Sequence, residues 1–245
     1  FYPYFQEYTV PGTHERRLRK GVIAVGKIED YEAGGVHRLE QMLTAPQADR
    51  LELLRHTRTH FEQIFMLYSD PERELDRLLA QFTQKRPGTI VVDEDGTTHR
   101  LWVADNEEIV ARIQALLADK KLVIADGQHR YETALAYRNE CRLLNPDPDA
   151  AHERVMITLS NLAGEGLTIL PTHRLVSNLP EFDFAQLRQA AGCYFDWYAY
   201  PFARAGERAA IEERFRRDLV GRGAKRPTLG VYAGGEKAFY LFLLK

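Results

Sequence analysis

Apolar and polar positions change period along the chain, and each change marks an element. Residues 1–10, FYPYFQEYTV, alternate aromatic and polar and predict a strand. Pro11–Gly12 is a turn signal, and GVIAVGKIEDY (21–31) predicts the returning strand of a β-hairpin. Between them the basic run HERRLRK reads most simply as a solvated hairpin tip. A helix is predicted over about Pro46 to His60. Thr44 with Gln47 matches a capping box, Pro46 suits the first turn, and Leu51 and Leu54 face inward. It carries Arg50, Arg55 and Arg58, the last two read as solvated surface cations. QIFMLY (63–68) reads as a buried strand, followed by a helix with Asp70 as N-cap and Glu72 near the dipole. TIVVDEDGTTHRLWVA (89–104) is a hairpin signal around Asp95–Gly96, and Asp105 with Glu108 opens a helix to about Asp119.

The stretch LVIADGQHRYETALAYRNEC (122–141) organises the rest: a buried strand, a tight glycine turn and a helix from about His129 to Leu144. Positions 130, 134, 137, 141 and 144 recur at three- and four-residue steps. They place Arg130 at the head of a packing stripe of Ala134, Tyr137, Cys141 and Leu144. Beyond the polar loop after Leu144, ERVMITLSNL (153–162) and LTILP (167–171) read as buried strands, and Thr172, His173 and Arg174 form a polar knot at a strand end. A solvated turn is the plainer reading of that knot. A helix near 183–193, the strand CYFDWYAY, a charged helix near 204–220 and a closing hairpin (228–233 and 238–244) complete an α+β chain. There is no repeat or clear linker. A soft boundary divides a core domain, 1–176, from a C-terminal α/β subdomain, 177–245.

Composition narrows the function classes. The chain has 245 residues, 44% hydrophobic and 28% charged, with a formal net charge of −2. That balance gives no support for a nucleic-acid or anionic-membrane partner driven by bulk charge, and no apolar run approaches a membrane span. Cys141 and Cys193 lack metal-ligand spacing, and Cys141 sits on the packing stripe as a small hydrophobe, so a reducing, cytoplasmic compartment is expected. The opening at Phe1, without methionine or a signal pattern, is read as an interior fragment of a longer protein.

An arginine at the head of a buried stripe needs an anionic partner. The helix N-terminus supplies outward N–H groups and the positive end of the dipole, Gly127 permits close backbone approach, and His129 and Arg130 add donors. A bound phosphate would satisfy all of them. Alternatively, Asp126 caps the helix and Arg130 pairs with a neighbouring carboxylate.

IADGQHRYETALAYRNE resembles the IADGHHRYETAL signature of the bacterial and archaeal family called domain of unknown function 1015. LTAPQADRLELLRHTRTHFEQIFMLYSDP, THRLWVAD and GLTILPTHRLV also look like blocks of that family, in its order, so the resemblance covers most of residues 16–180. More distantly the family is similar to the ParB/sulfiredoxin-like superfamily, whose D-G-x-H-R-type turn holds nucleotide phosphate. One branch comprises free-serine kinases that use a nucleotide and Mg²⁺ to interconvert serine and O-phosphoserine. The resemblance implies a ParB/sulfiredoxin-like strand–turn–helix core, ADP or ATP with Mg²⁺ and a small-molecule phosphate ligand; a nucleic-acid role by analogy with DNA-partitioning relatives is opposed by the net charge, so no nucleic acid or membrane partner is expected.

By the same resemblance Asp126, Gly127, Gln128, His129 and Arg130 would cradle phosphate. Glu40 and His129 would be the catalytic pair, with Glu40 accepting the proton of the attacking hydroxyl. Thr172, His173 and Arg174 would contact substrate, and Asp49 or Asp126 would meet Mg²⁺. Read without the resemblance, Glu40 is an exposed loop carboxylate, and Asp49 and Asp126 are structural. Glu132 reads as a first-turn dipole partner. Four positions depart from the family pattern: Leu39 replaces a His (for which His37 is a stand-in), Met42 a Thr, Gln47 a Lys and Gln128 a His. These departures imply a second reading, a nucleotide- or phosphometabolite-binding protein without catalysis. The oligomeric state is left open by the residues.

Overall fold

The structure, a computed structural model, describes residues 1–38, 47–170 and 173–245, the side chains of Gln47 and Ala205 excepted. Capping by Thr44 and Pro46 therefore lies outside the described residues. The chain divides into two compact units, Phe1–Pro171 and Thr172–Lys245, where the sequence reading put the division after residue 176. Among the described residues the architecture is mixed α+β, with strands in two sheets. No helix among them is long and apolar enough to cross a membrane.

The first unit is built on an eight-stranded sheet. Its elements are β1 (Tyr2–Thr9), β2 (Arg16–Lys27), β3 (Val36–His37), α1 (Gln47–Thr57), β4 (Ile64–Tyr68), α2 (Glu74–Ala80), β5 (Thr89–Val92), β6 (Thr98–Leu101), α3 (Glu107–Leu117), β7 (Leu122–Asp126), α4 (Gln128–Arg142) and β8 (Arg154–Asn161). Strand order is β3-β7-β4-β8-β2-β1-β6-β5. β3 runs parallel to β7 and β4 parallel to β8, and the other pairs are antiparallel. Alternate residues enter one core, as the period of two requires: Val22 and Ala24 of β2, Ile64, Met66 and Tyr68 of β4, and Val155, Ile157 and Leu159 of β8. Leu75, Leu78 and Leu79 of α2, Ile113 of α3, and Tyr131 and Ala134 of α4 cover them.

The second unit has α5 (Phe184–Ala191), β9 (Phe195–Pro201), α6 (Ala205–Gly223), β10 (Thr228–Val231) and β11 (Ala238–Leu244), with β11 central in a three-stranded sheet. That strand is buried on both faces. Ala238, Tyr240 and Phe242 pack with Phe184 of α5, while Phe239, Leu241 and Leu243 pack with Ile211, Phe215 and Leu219 of α6.

Several local expectations are corrected. The basic run belongs to β2, which starts at Arg16 and pairs with β1 from Thr9↔Arg16 onward, so only residues 10–15 form the hairpin tip. The helix after β4 begins at Glu74 rather than beside Asp70, because Arg73 adopts a left-handed conformation (φ 54°); Asp70 still accepts the Leu75 N–H at 3.2 Å. Asn106, not Asp105, caps α3, its side chain accepting the Ile109 N–H at 3.1 Å. LTILP forms no strand over 167–170, and Ile169 is exposed. The packing face of α4 is rotated by one position: Tyr131, Ala134 and Arg138 are buried, whereas Leu144 is exposed. Arg138 tolerates burial because its guanidinium donates to Ile28 O (2.8 Å), Asp30 Oδ1 (2.7 Å) and Asn139 Oδ1 (2.8 Å).

Candidate functional site at the head of α4

The Asp126–Arg130 turn joins the carboxyl end of β7 to α4. Gly127 takes φ 87°, a left-handed value that a side chain disfavours, and the helical ladder starts with Tyr131 N–H donating to Gly127 O at 3.0 Å. The N–H groups of the first turn therefore point out of the helix end. β3 lies parallel to β7 (Val36↔Leu122, His37↔Val123), so the chain leaves β3 at the same end of the sheet. α1, where the described chain resumes, packs along α4. Glu40, with Leu39, Met42 and the Gln47 side chain, lies outside the described residues, and so does Thr172.

Arg130 is partnered on three sides. It donates to Asp126 Oδ2 at 2.9 Å, approaches Glu62 Oε2 at 3.2 Å, and donates to the Gln63 carbonyl at the start of β4. Its guanidinium lies over Gly127, where an added Cβ would stand 3.1 Å from Arg130 Cζ. The space left by the glycine is therefore taken by the arginine. Asp126 does not cap the helix; its carboxylate is engaged by Arg130 instead. Gln128 donates to Glu132 Oε1 at 3.0 Å, so Glu132 serves that side chain as well as the first turn. Nδ1 of His129 is buried with no hydrogen-bond partner among the described residues. An orphaned ring nitrogen in the first turn of a helix calls for a partner that the described residues do not supply.

Beside Arg130 opens a cavity of about 410 Å³ between α1, the 59–62 segment and α4. Asp49 and Arg50 of α1, His60, Glu62 and Thr133 line it. Glu62 bridges Arg130 and Arg50, the latter at 3.1 Å. Burial pushes the His60 imidazolium below its ordinary pKa, so it favours the neutral form. The cavity brings Asp49 and Arg130 together, two of the sequence candidates. Glu62, Gln63 and His60 were not singled out from the sequence; a carboxylate just before a strand becomes visible as a site residue only once β4 is known to pair with β7. Arg55, read as solvated, bridges α1 to α4 through Glu140 (2.9 Å) and also pairs with Glu52. His37 is exposed in β3. His173 and Arg174 are exposed and fall in the second unit. Among the described residues no group of three or more His, Cys, Asp or Glu side chains could hold a metal ion.

Comparison with known proteins is consistent with the motif. No curated protein and no solved structure matches the chain. The family model described as "Protein of unknown function (DUF1015)" matches residues 1–245, and the chain belongs to that family.

Proposed function

We propose that the head of α4 binds the phosphate group of a small molecule, and that the protein is a nucleotide-dependent phosphotransferase or phosphohydrolase interconverting serine and O-phosphoserine. The observation that carries the binding half is the first turn of α4: a left-handed Gly127, outward N–H groups, Arg130, and a buried His129 Nδ1 without a partner among the described residues. The chemical half rests on the resemblance to the ParB/sulfiredoxin-like kinases, with Glu40 accepting the hydroxyl proton and Gln128, His129 and Arg130 holding phosphate. The donor set suits a nucleotide phosphate. For Mg²⁺ it offers single carboxylates rather than a cage, which fits an ion that keeps its waters and binds through one or two carboxylates. With Asp126 engaged by Arg130, Asp49 on the cavity is the carboxylate that fits. When bound, Mg²⁺ would offset phosphate charge.

The second reading, binding without catalysis, has its own observation. Arg130 is already held by Asp126 and Glu62, so a phosphate must displace carboxylates before the arginine can serve it. Thermal unfolding of the full-length protein with ADP, ATP, phosphoserine or serine, each with and without Mg²⁺, tests the shared core. A ligand at a hundred times its Kd adds about 2.7 kcal/mol. The expected result is a rise in Tm with a phosphorylated ligand that Arg130→Ala abolishes; no rise at millimolar ligand overturns the site. Serine–phosphoserine turnover lost in Glu40→Gln supports the enzyme. Ligand binding without turnover supports the binding protein.

A further inference from the structure

The large sheet has a second face. Phe5 and Val22 enter the core, so Tyr4, Gln6 and Tyr8 of β1 point the other way, and strand pairing sets Arg19 of β2 and His99 of β6 on either side of Gln6. A loop is fastened over this face. Tyr8 Oη donates to Gly166 O at 2.9 Å, and Arg17 Nη1 donates to Leu167 O at 3.3 Å and to Thr168 Oγ1 at 3.1 Å. Between that loop and the turn from β5 to β6 lies a cleft of about 550 Å³, with Gln6, Tyr8, Arg19, His99 and Thr168 among its walls.

Arg19 is the decisive group. It is partly buried, and its described partners are all neutral. The Phe65 and Tyr8 rings stand 4.9 and 5.8 Å from its guanidinium carbon. Gln6 Oε1 accepts from Nε at 2.8 Å and from Nη2, so one edge of the guanidinium is taken. Nη1 makes no hydrogen bond, and Arg19 no ion pair, among the described residues. Burial lowers its pKa, as expected for a desolvated cation without a counter-charge. Such a charge is costly unless an anion meets it. The Asp93 carboxylate on the cleft is already spent. Its Oδ2 accepts from His99 Nε2 at 2.9 Å, and its Oδ1 accepts the N–H groups of Asp95 and Thr97 at 3.1 and 2.8 Å. With Nε2 donating, Nδ1 of the neutral His99 ring accepts from Tyr4 at 2.6 Å and from the Gln6 amide at 3.4 Å. That network turns the Gln6 oxygen toward Arg19 and fixes the guanidinium without neutralising it.

We propose that this cleft is a second ligand site, binding a small organic acid through one carboxylate group on the Nη1–Nη2 edge of Arg19. Two parallel N–H donors on a planar fork match the two oxygens of a carboxylate. One uncompensated cation calls for a single negative charge. Asp95, which lines the same cleft and forms no ion pair among the described residues, disfavours a chain of phosphates. None of the lining residues is shared with the Arg130 cavity, and the site does not depend on the phosphotransferase reading.

Titration of the full-length protein with sodium benzoate tests it, followed by nuclear magnetic resonance at the Arg19 Nε–H group. A saturable shift is expected, lost in Arg19→Gln and unchanged in Arg130→Ala. Gln6→Glu is the second variant, since it hands Arg19 a counter-charge from within the protein. It is expected to raise the Tm and to weaken benzoate about tenfold or more. Absence of a saturable shift in the unaltered protein overturns the site. So does a Gln6→Glu protein that binds benzoate as tightly as before, an outcome readable even where Arg19→Gln fails to fold. Inorganic pyrophosphate is the competing probe, and tighter binding of it at the same resonance overturns the single-carboxylate class.

Discussion

Gly127 meets two demands at once. Its φ of 87° disfavours a side chain, and its missing Cβ makes room for the Arg130 guanidinium. Gly127→Ala is expected to cost about 1–2 kcal/mol from the left-handed backbone, with a further loss as Arg130 is pushed from Asp126. Urea denaturation of the two proteins reads this directly, and equal midpoints would show that the turn relaxes freely. The turn was legible in the sequence because its parts are local: an apolar run, Asp-Gly, then helical spacing. Arg130's partners were only half legible. Asp126 is four residues away and was foreseeable as a neighbouring carboxylate, whereas Glu62 and the Gln63 carbonyl reach it through strand pairing. Arg138 was missed for a related reason. A charged residue at a helical position reads as solvated until the carbonyl and carboxylate that meet it, Ile28 O and Asp30, are brought from β2 and its following turn.

The helices were legible from their spacing, but their starts were displaced (α2 begins at Glu74 and Asn106 caps α3) and the rotation of α4 was not foreseen. The apolar residues of α4 are too few to fix a face, so the stripe expected at 130, 134, 137, 141 and 144 gave way to one through Tyr131, Ala134 and Arg138. What fixes the far end of α4 is an ion pair. Arg142 donates two bonds of 2.6 Å to Glu153, whose side chain is buried just before β8. The Arg142 guanidinium holds the Glu153 carboxyl below its ordinary value of 4.5. A depressed carboxylate stabilises the fold above its unfolded pKa, and that contribution fades as pH falls through the folded value. Acid is therefore expected to weaken the protein below about pH 4.5 in part through this group. Glu153→Gln should cost about 1–2 kcal/mol at neutral pH, since Arg142 is partly solvated, and should flatten the acid limb of stability against pH. Denaturant midpoints across the acid range check this; an unchanged slope would show that other carboxylates set it.

In the first unit most strands were legible, though β3 was missed and the strand expected over 167–171 is absent from 167–170, and their order was not legible. Alternation marks a strand but says nothing of its neighbour, and here β1 is flanked by β2 and β6, and β4 by β7 and β8. β8 is the central member, joining β4 on one side to β2 on the other, and its Leu159 is buried in the core of the unit. Leu159→Ala is expected to cost about 2–5 kcal/mol. Far-ultraviolet and aromatic near-ultraviolet melts should fall together, and separated transitions would mean that the two halves of the sheet unfold independently. The order of strands also has a meaning in time. A chain made from its N-terminus exposes β3-β7-β4 and β2-β1-β6-β5 as two partial sheets, each with an open edge, and the strand that joins them is the last of the eight to leave the ribosome. Until residue 161 has emerged, those two edges are the places where the nascent chain is open to the wrong partner.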